Sequence, residues 1–140
     1  SNAALEKQLI GQMRCIIKVL VKTGNRPYAG TDCEVMCRIK GHSRTTATHR
    51  LSTCAVRAGT LFRRGQTDEF AFQDWYIGEP VQVSIWHDAK GSDPNWFLEK
   101  VTVVLQNGQN FTFKCDDWLS ETEGKRQVRV ELVGPTLTSR

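Results

Sequence analysis

The chain has 140 residues, 39% of them hydrophobic and 24% charged, a balance that can close one core and is too apolar for a disordered segment. No apolar run approaches the roughly 18 residues of a spanning helix, and the N-terminus lacks the apolar stretch of a signal peptide, so the piece reads as a soluble single module. A net charge of +4 favours acidic surfaces but leaves anionic lipid, acidic protein and nucleic acid all open.

Ser1, Asn2 and Ala3 read as the remnant of tag cleavage, and a tag scar on a chain of one module's length suggests a piece cut from a larger protein. Leu5, Leu9 and Ile10 have helical spacing, but Gly11 interrupts it, so residues 1–12 are expected to be tag remnant and linker or loose helix. From Cys15 to Val21 apolar residues alternate with Lys18 and its neighbours, predicting a first strand that ends at Thr23-Gly24. Residues 25–31 form a turn. The clearest strand follows: Cys33, Val35, Cys37 and Ile39 face one way, Asp32, Glu34, Met36, Arg38 and Lys40 the other, up to Gly41. Residues 42–60, rich in Ser, Thr and Arg, are expected to hold one short strand near residues 48–52. Phe70 and Phe72 mark a fourth.

The stretch from Ile85 to Lys100 reads as strand, loop and strand. Val81, Val83 and Ile85 alternate with polar residues before it, and Val101, Val103 and Leu105 do so after it. Asp88, Gly91, Ser92, Asp93, Pro94 and Asn95 are turn formers, so carboxylates are expected on an exposed tip whose base Trp96 and Phe97 anchor. This segment is expected to be a hairpin supplying the fifth and sixth strands. Asn107-Gly108 signals a hairpin of type I′ into a seventh strand over Phe111, Phe113 and Cys115, closed by Trp118-Leu119. Val128, Val130 and Leu132 give an eighth, ended by Gly134-Pro135. The predicted fold is an all-β, eight-stranded antiparallel β-sandwich of two four-stranded sheets over residues 13–134, with residues 135–140 as a C-terminal tail.

Five cysteines are an odd number without Cys-x-x-Cys spacing, so a full disulfide framework is excluded by parity. Cys33 and Cys37, four apart in a strand, would lie about 13 Å apart, beyond bridging reach. Most of the five are expected to be buried thiols of a reducing compartment.

Several phrases in order resemble the PLAT domain, the lipoxygenase-homology sandwich also called LH2. They are Val-Leu-Val-Lys-Thr-Gly over residues 19–24, Ala29-Gly30-Thr31-Asp32, Leu61-Phe62-Arg63-Arg64-Gly65 with Asp68 and Phe70, the Trp-His-Asp and Asn-Trp-Phe-Leu phrases of residues 85–101, and Phe-Lys-Cys-Asp-Asp-Trp-Leu over residues 113–119. Within the family they look most like polycystin-type and tandem PLAT-repeat proteins. The resemblance implies a non-catalytic interaction module that targets a larger, membrane-associated protein to anionic phospholipid, to a protein partner, or to both, on the intracellular, membrane-proximal side. The competing implication is an accessory regulatory domain of a lipid-acting enzyme, a lipoxygenase or lipase, modulated by calcium.

The three histidines show no ligand spacing, and His87 at a strand end reads as a packed or hydrogen-bonded ring. No catalytic residues, nucleic-acid partner or small-molecule substrate are expected, and the module is expected to be monomeric. Calcium is not required, although the resemblance leaves room for one weak site at Tyr28, Gly30, Asp32 and Asp93. Against it, Cys33 stands where some calcium-binding members carry a second Asp, and Thr60, Leu61 and Arg63 occupy positions that supply oxygen ligands elsewhere. In the bland reading, Gly30 permits a tight turn and Asp32 bonds its own backbone. The lipid- or partner-binding set is Tyr28, Arg63, Arg64, Trp86 and Trp118, the resemblance placing Trp118 where a tryptophan can enter a membrane interface and Tyr28 at a loop tip.

Overall fold

The computed structural model describes residues 2–138. Helix α1 (Asn2–Gly11) carries Leu5 and Leu9 exposed and leads into β1 (Arg14–Thr23). The other elements are β2 (Val35–Gly41), β3 (His49–Arg50) with a 3₁₀ turn at Leu51–Thr53, β4 (Thr67–Trp75), β5 (Pro80–His87), β6 (Trp96–Val104), β7 (Asn110–Leu119), β8 (Arg129–Val133) and β9 (Thr136–Thr138). They pair antiparallel in two sheets, one ordered β4-β1-β6-β7-β9 and the other β3-β2-β5-β8.

The alternation in the sequence becomes burial in the structure. In β1, Ile17, Val19 and Val21 are buried while Ile16 and Lys18 face solvent. In β2, Val35, Cys37 and Ile39 are buried between outward-facing Met36, Arg38 and Lys40. Val83, Ile85, Val101, Val103, Phe111 and Phe113 join them in one core between the sheets, as expected when each sheet has one apolar face to remove from water.

Three expectations need correction. Among the described residues there are nine strands in sheets of five and four, because Thr136–Thr138 pairs with Asn110–Thr112 of β7 after the Gly134 turn. A Thr-Leu-Thr segment has too little apolar periodicity to announce a strand. Second, β5 and β6 are not a hairpin: β5 pairs with β2 and β8, whereas β6 pairs with β1 and β7 in the opposite sheet. Period-2 alternation identifies the buried face of a strand and says nothing about its neighbour. Third, the β6-β7 hairpin forms, with the Leu105 N–H donating to Gln109 O and the Gly108 N–H to Leu105 O, but of Asn107 and Gly108 only Gly108 has positive φ, at 87°. A type I′ turn needs positive φ at both central residues, so this is a different turn closed by a left-handed glycine.

All five cysteines are free thiols, but only Cys33 and Cys37 are buried. Cys15, Cys54 and Cys115 are half-buried at the margin of the core. Burial pushes the Cys37 thiol up to about 12, which makes it an inert packing group.

Trp96 is fully buried near the start of β6, and its indole N–H donates to Thr23 Oγ1 at 2.9 Å, also at zero exposure. Thr23→Val keeps the shape and strands that N–H. The expected loss is about 1–3 kcal/mol, read as a lower urea midpoint at unchanged slope. An unchanged midpoint would show that the indole does not depend on Thr23.

Candidate functional site

Strand register gathers four connections at one end of the sandwich. Lys22 lies opposite Thr67, Val35 opposite His87, Trp96 opposite Leu119 and Trp86 opposite Arg129, so residues 24–34, 54–66, 88–95 and 120–128 emerge side by side.

The first two are built around Phe62. Its ring is buried, with centroids 5.7 Å from Phe70 and 5.2 Å from Trp96, while its backbone holds a positive φ of 57°. Such a conformation costs a non-glycine residue energy that surrounding contacts must offset. The Phe62 N–H donates to Asp68 Oδ2 at 2.9 Å, and its carbonyl accepts from the Thr31 N–H at 3.0 Å. Gly30 is required here, because a Cβ would stand 2.8 Å from Phe62 O and 3.5 Å from Arg63 Cα. The two connections therefore lie in direct backbone contact, and Arg63 and Arg64 project from the line of contact, both exposed.

The third connection is pinned by Asp32. One carboxylate oxygen accepts from the Ser92 N–H at 3.1 Å and the Ser92 hydroxyl at 2.7 Å, and the other accepts from the Asp93 N–H at 2.8 Å. The Ser92 hydroxyl first, then the Asp93 and Ser92 amides, hold the Asp32 carboxyl down to about 2. Thr31 Oγ1 donates to Asp93 O at 2.6 Å. His87 fixes the base of the same loop: its Nε2 meets Leu119 O at 2.8 Å, and its Nδ1 accepts from the Ala89 N–H at 3.0 Å. Both contacts are satisfied by one neutral ring with the hydrogen on Nε2.

A cleft of about 510 Å³ results, lined by Tyr28, Gly30, Asp32, Arg63, Arg64 and Asp93 together with Thr60 and Leu61. Six of the residues singled out in the sequence thus converge. Tyr28 stands on its rim at a positive φ of 62° and is 91% exposed. The two tryptophans lie elsewhere. Trp118 is half-buried, edge-on to Phe97 with centroids 5.3 Å apart, and the Arg26 guanidinium lies 3.7 Å from the centre of the Phe97 ring. Trp86 is on the outer face of the four-stranded sheet, level with Met36 and Arg129, whose guanidinium sits 4.2 Å over its ring. Sequence reasoning missed Ser92 and Thr31, whose role depends on two distant loops meeting. It also missed Arg57, which lines a neighbouring cleft of about 590 Å³ with Arg63.

Several oxygens of the cleft are already hydrogen-bonded within the loops. Calcium takes six to eight oxygens, but every Asp32 oxygen already accepts from a loop donor, and the carbonyls of Ala29, Phe62 and Asp93 are engaged by Phe97, Thr31 and Thr31. Two arginines line the same space, and a divalent ion within about 6 Å of a guanidinium costs on the order of 1 kcal/mol even at the dielectric of water. Among the described residues, no group of three or more His, Cys, Asp or Glu side chains is placed to hold a metal.

A second polar cluster lies where β3 approaches β4. His49 Nε2 is 2.6 Å from Asp74 Oδ2, and the ring stacks on Phe72 at 3.8 Å. Cys15 stands opposite Asp74 in register, and burial first, then the Asp74 charge, raises its thiol. A thiol raised in this way is a weak nucleophile at neutral pH, so the cluster links the two sheets.

Much of the polar chemistry of the sandwich is thus gathered on one set of loops held by internal hydrogen bonds. The PLAT/LH2 domain model matches residues 17–131, and the chain belongs to that family. It is 39% identical over 115 residues to lipoxygenase homology domain-containing protein 1 of Mus musculus, covering 81% of this chain and 6% of that protein. It is 34% identical over 110 residues to polycystin-1 of Homo sapiens, covering 76% and 2%. The chain therefore spans a small fraction of these relatives. In coral 8R-lipoxygenase, described as showing calcium activation via a C2-like domain, the fold matches with a TM-score of 0.70 over 86% of this chain and 17% of that one at 24% identity, a likeness of fold alone.

The lowered Asp32 carboxyl predicts that its pin on the loop is complete above the ordinary value of 3.8 and is lost as pH falls toward about 2. A carboxyl-carbon NMR titration is expected to place its midpoint near 2. Asp32→Ala is expected to speed amide exchange of Ser92 and Asp93 by at least about tenfold, while β6 exchanges as before. A midpoint near 4 would mean that the loop is held by other contacts.

Proposed function

We propose that the chain is a non-catalytic interaction module, extending over residues 13–134, that docks a larger membrane-associated protein onto an anionic phospholipid surface at its intracellular face. The observation that carries this reading is Tyr28, 91% exposed on a left-handed turn beside two exposed guanidiniums that form no ion pair among the described residues. A tyrosine suits the interface because an apolar ring carries a polar tip. Each basic side chain near such a surface contributes about 1 kcal/mol, so a monomeric module binds weakly and loses affinity as salt screens it.

Trp118 contributes less than Tyr28 in this arrangement, since reaching lipid would take it off Phe97. Trp86 would engage a partner only from the sheet face. Sedimentation with vesicles containing or lacking phosphatidylserine tests the reading. Tyr28→Ala and the pair Arg63→Glu with Arg64→Glu are expected to weaken binding, the pair by at least about tenfold, and Trp118→Ala to change it less. If vesicles are never bound while a protein partner is captured, the same surface is a protein-docking one.

The fold likeness to coral 8R-lipoxygenase supports a second reading, an accessory domain of a lipid-acting enzyme. Calcium is not required in the first reading and modulates the enzyme in the second. A site with a dissociation constant of about 1 mM would add only about 1.4 kcal/mol at about 10 mM ion, so melting is expected to be unmoved at micromolar calcium. A shift of many degrees there would overturn this.

A further inference from the structure

We propose that the cleft at the loop end does not take a calcium ion and that the Arg63 guanidinium is the built-in cation through which the module engages the oxyanions of a phospholipid headgroup without metal. The inference rests on the membrane-docking reading above and deepens it.

The backbone of residue 63 lies where the two loops cross, because its Cα is 3.5 Å from where a Cβ on Gly30 would be, beside the Phe62 anchor. Its side chain is exposed, lines both clefts, and forms no ion pair among the described residues. The charged residues lining the cleft of about 510 Å³ are Asp32 and Asp93 against Arg63 and Arg64, so the carboxylates are already balanced by covalently attached cations. A divalent site needs an excess of acidic oxygen, and this cleft has none. Asp32 in addition is committed to Ser92 and Asp93. An exposed guanidinium without a carboxylate partner keeps its donors for an incoming anion, and its planar fork matches a phosphate or carboxylate with two parallel hydrogen bonds. Arg63→Asp reverses the balance, giving three carboxylates to one guanidinium around the same loops.

The experiment measures calcium uptake by titration calorimetry and vesicle sedimentation, with phosphatidylserine, in EGTA or in calcium, for the native chain, Arg63→Asp and Arg63→Lys. The native chain is expected to bind vesicles equally with and without calcium and to take up calcium no more tightly than about 1 mM. Arg63→Lys, which keeps a point charge, is expected to retain most of the EGTA binding. Arg63→Asp is expected to lose at least about tenfold of it and to bind calcium at least about tenfold more tightly than the native chain. Native vesicle binding that needs calcium, or an Arg63→Asp chain that matches the native one in both measurements, overturns the proposal. If no chain sediments in any condition, the membrane reading falls. The calorimetry then still decides the part of Arg63 in excluding calcium: tighter calcium in Arg63→Asp upholds it, equal uptake refutes it.

Discussion

The buried indole of Trp96 is the floor on which the loop end stands. It lies between the sheets at zero exposure, its N–H is satisfied by Thr23, and the Phe62 ring meets it edge-on at 5.2 Å. Each contact comes from a different part of the chain: Thr23 ends β1, Phe62 belongs to the turn before β4, and Trp96 opens β6 directly after the polar loop. A buried donor without a partner costs more than a made hydrogen bond contributes. The indole therefore fixes the relative height of three connections before any surface residue is considered.

Rigidity spreads outward from that floor through polar contacts. The Phe62 backbone grips Thr31, Asp32 grips Ser92 and Asp93, and His87 grips both Ala89 and Leu119. These contacts consume acceptors that a reading from composition would leave free for a ligand. The Asp32 carboxylate is used to hold the loops, whereas the Arg63 guanidinium and the Tyr28 ring stand exposed beside it.

How much of this was legible in the sequence follows from whether a signal is local. Strand faces were, because Val35, Cys37 and Ile39 declare their common side by spacing alone, and so were the turn residues of the 88–95 loop. Strand partners were not, which is why β5 and β6 read as a hairpin although they belong to opposite sheets. The convergence of Tyr28, Gly30, Asp32, Arg63, Arg64 and Asp93 came from resemblance, since nothing in their spacing brings residues 28 and 93 together. The depth of Trp118 was illegible for the same reason: its burial is set by Phe97, its partner across the β6-β7 ladder. β9 went unseen because three residues ending in Thr pair through their backbone alone.

Weak binding and rigid geometry belong together in a domain of this kind. Loops already ordered by internal hydrogen bonds lose little conformational freedom on docking, so even two guanidiniums and one ring can yield usable affinity. The same small set limits how much affinity a single domain can reach. A related protein of which this chain spans 6% has ample room for further contacts, and each attachment elsewhere raises the effective concentration of this one at the surface. A loop end that docks through a fixed cation would then bind continuously and modestly. Its contribution would be set by salt and by the rest of the chain, with no response to an ion signal.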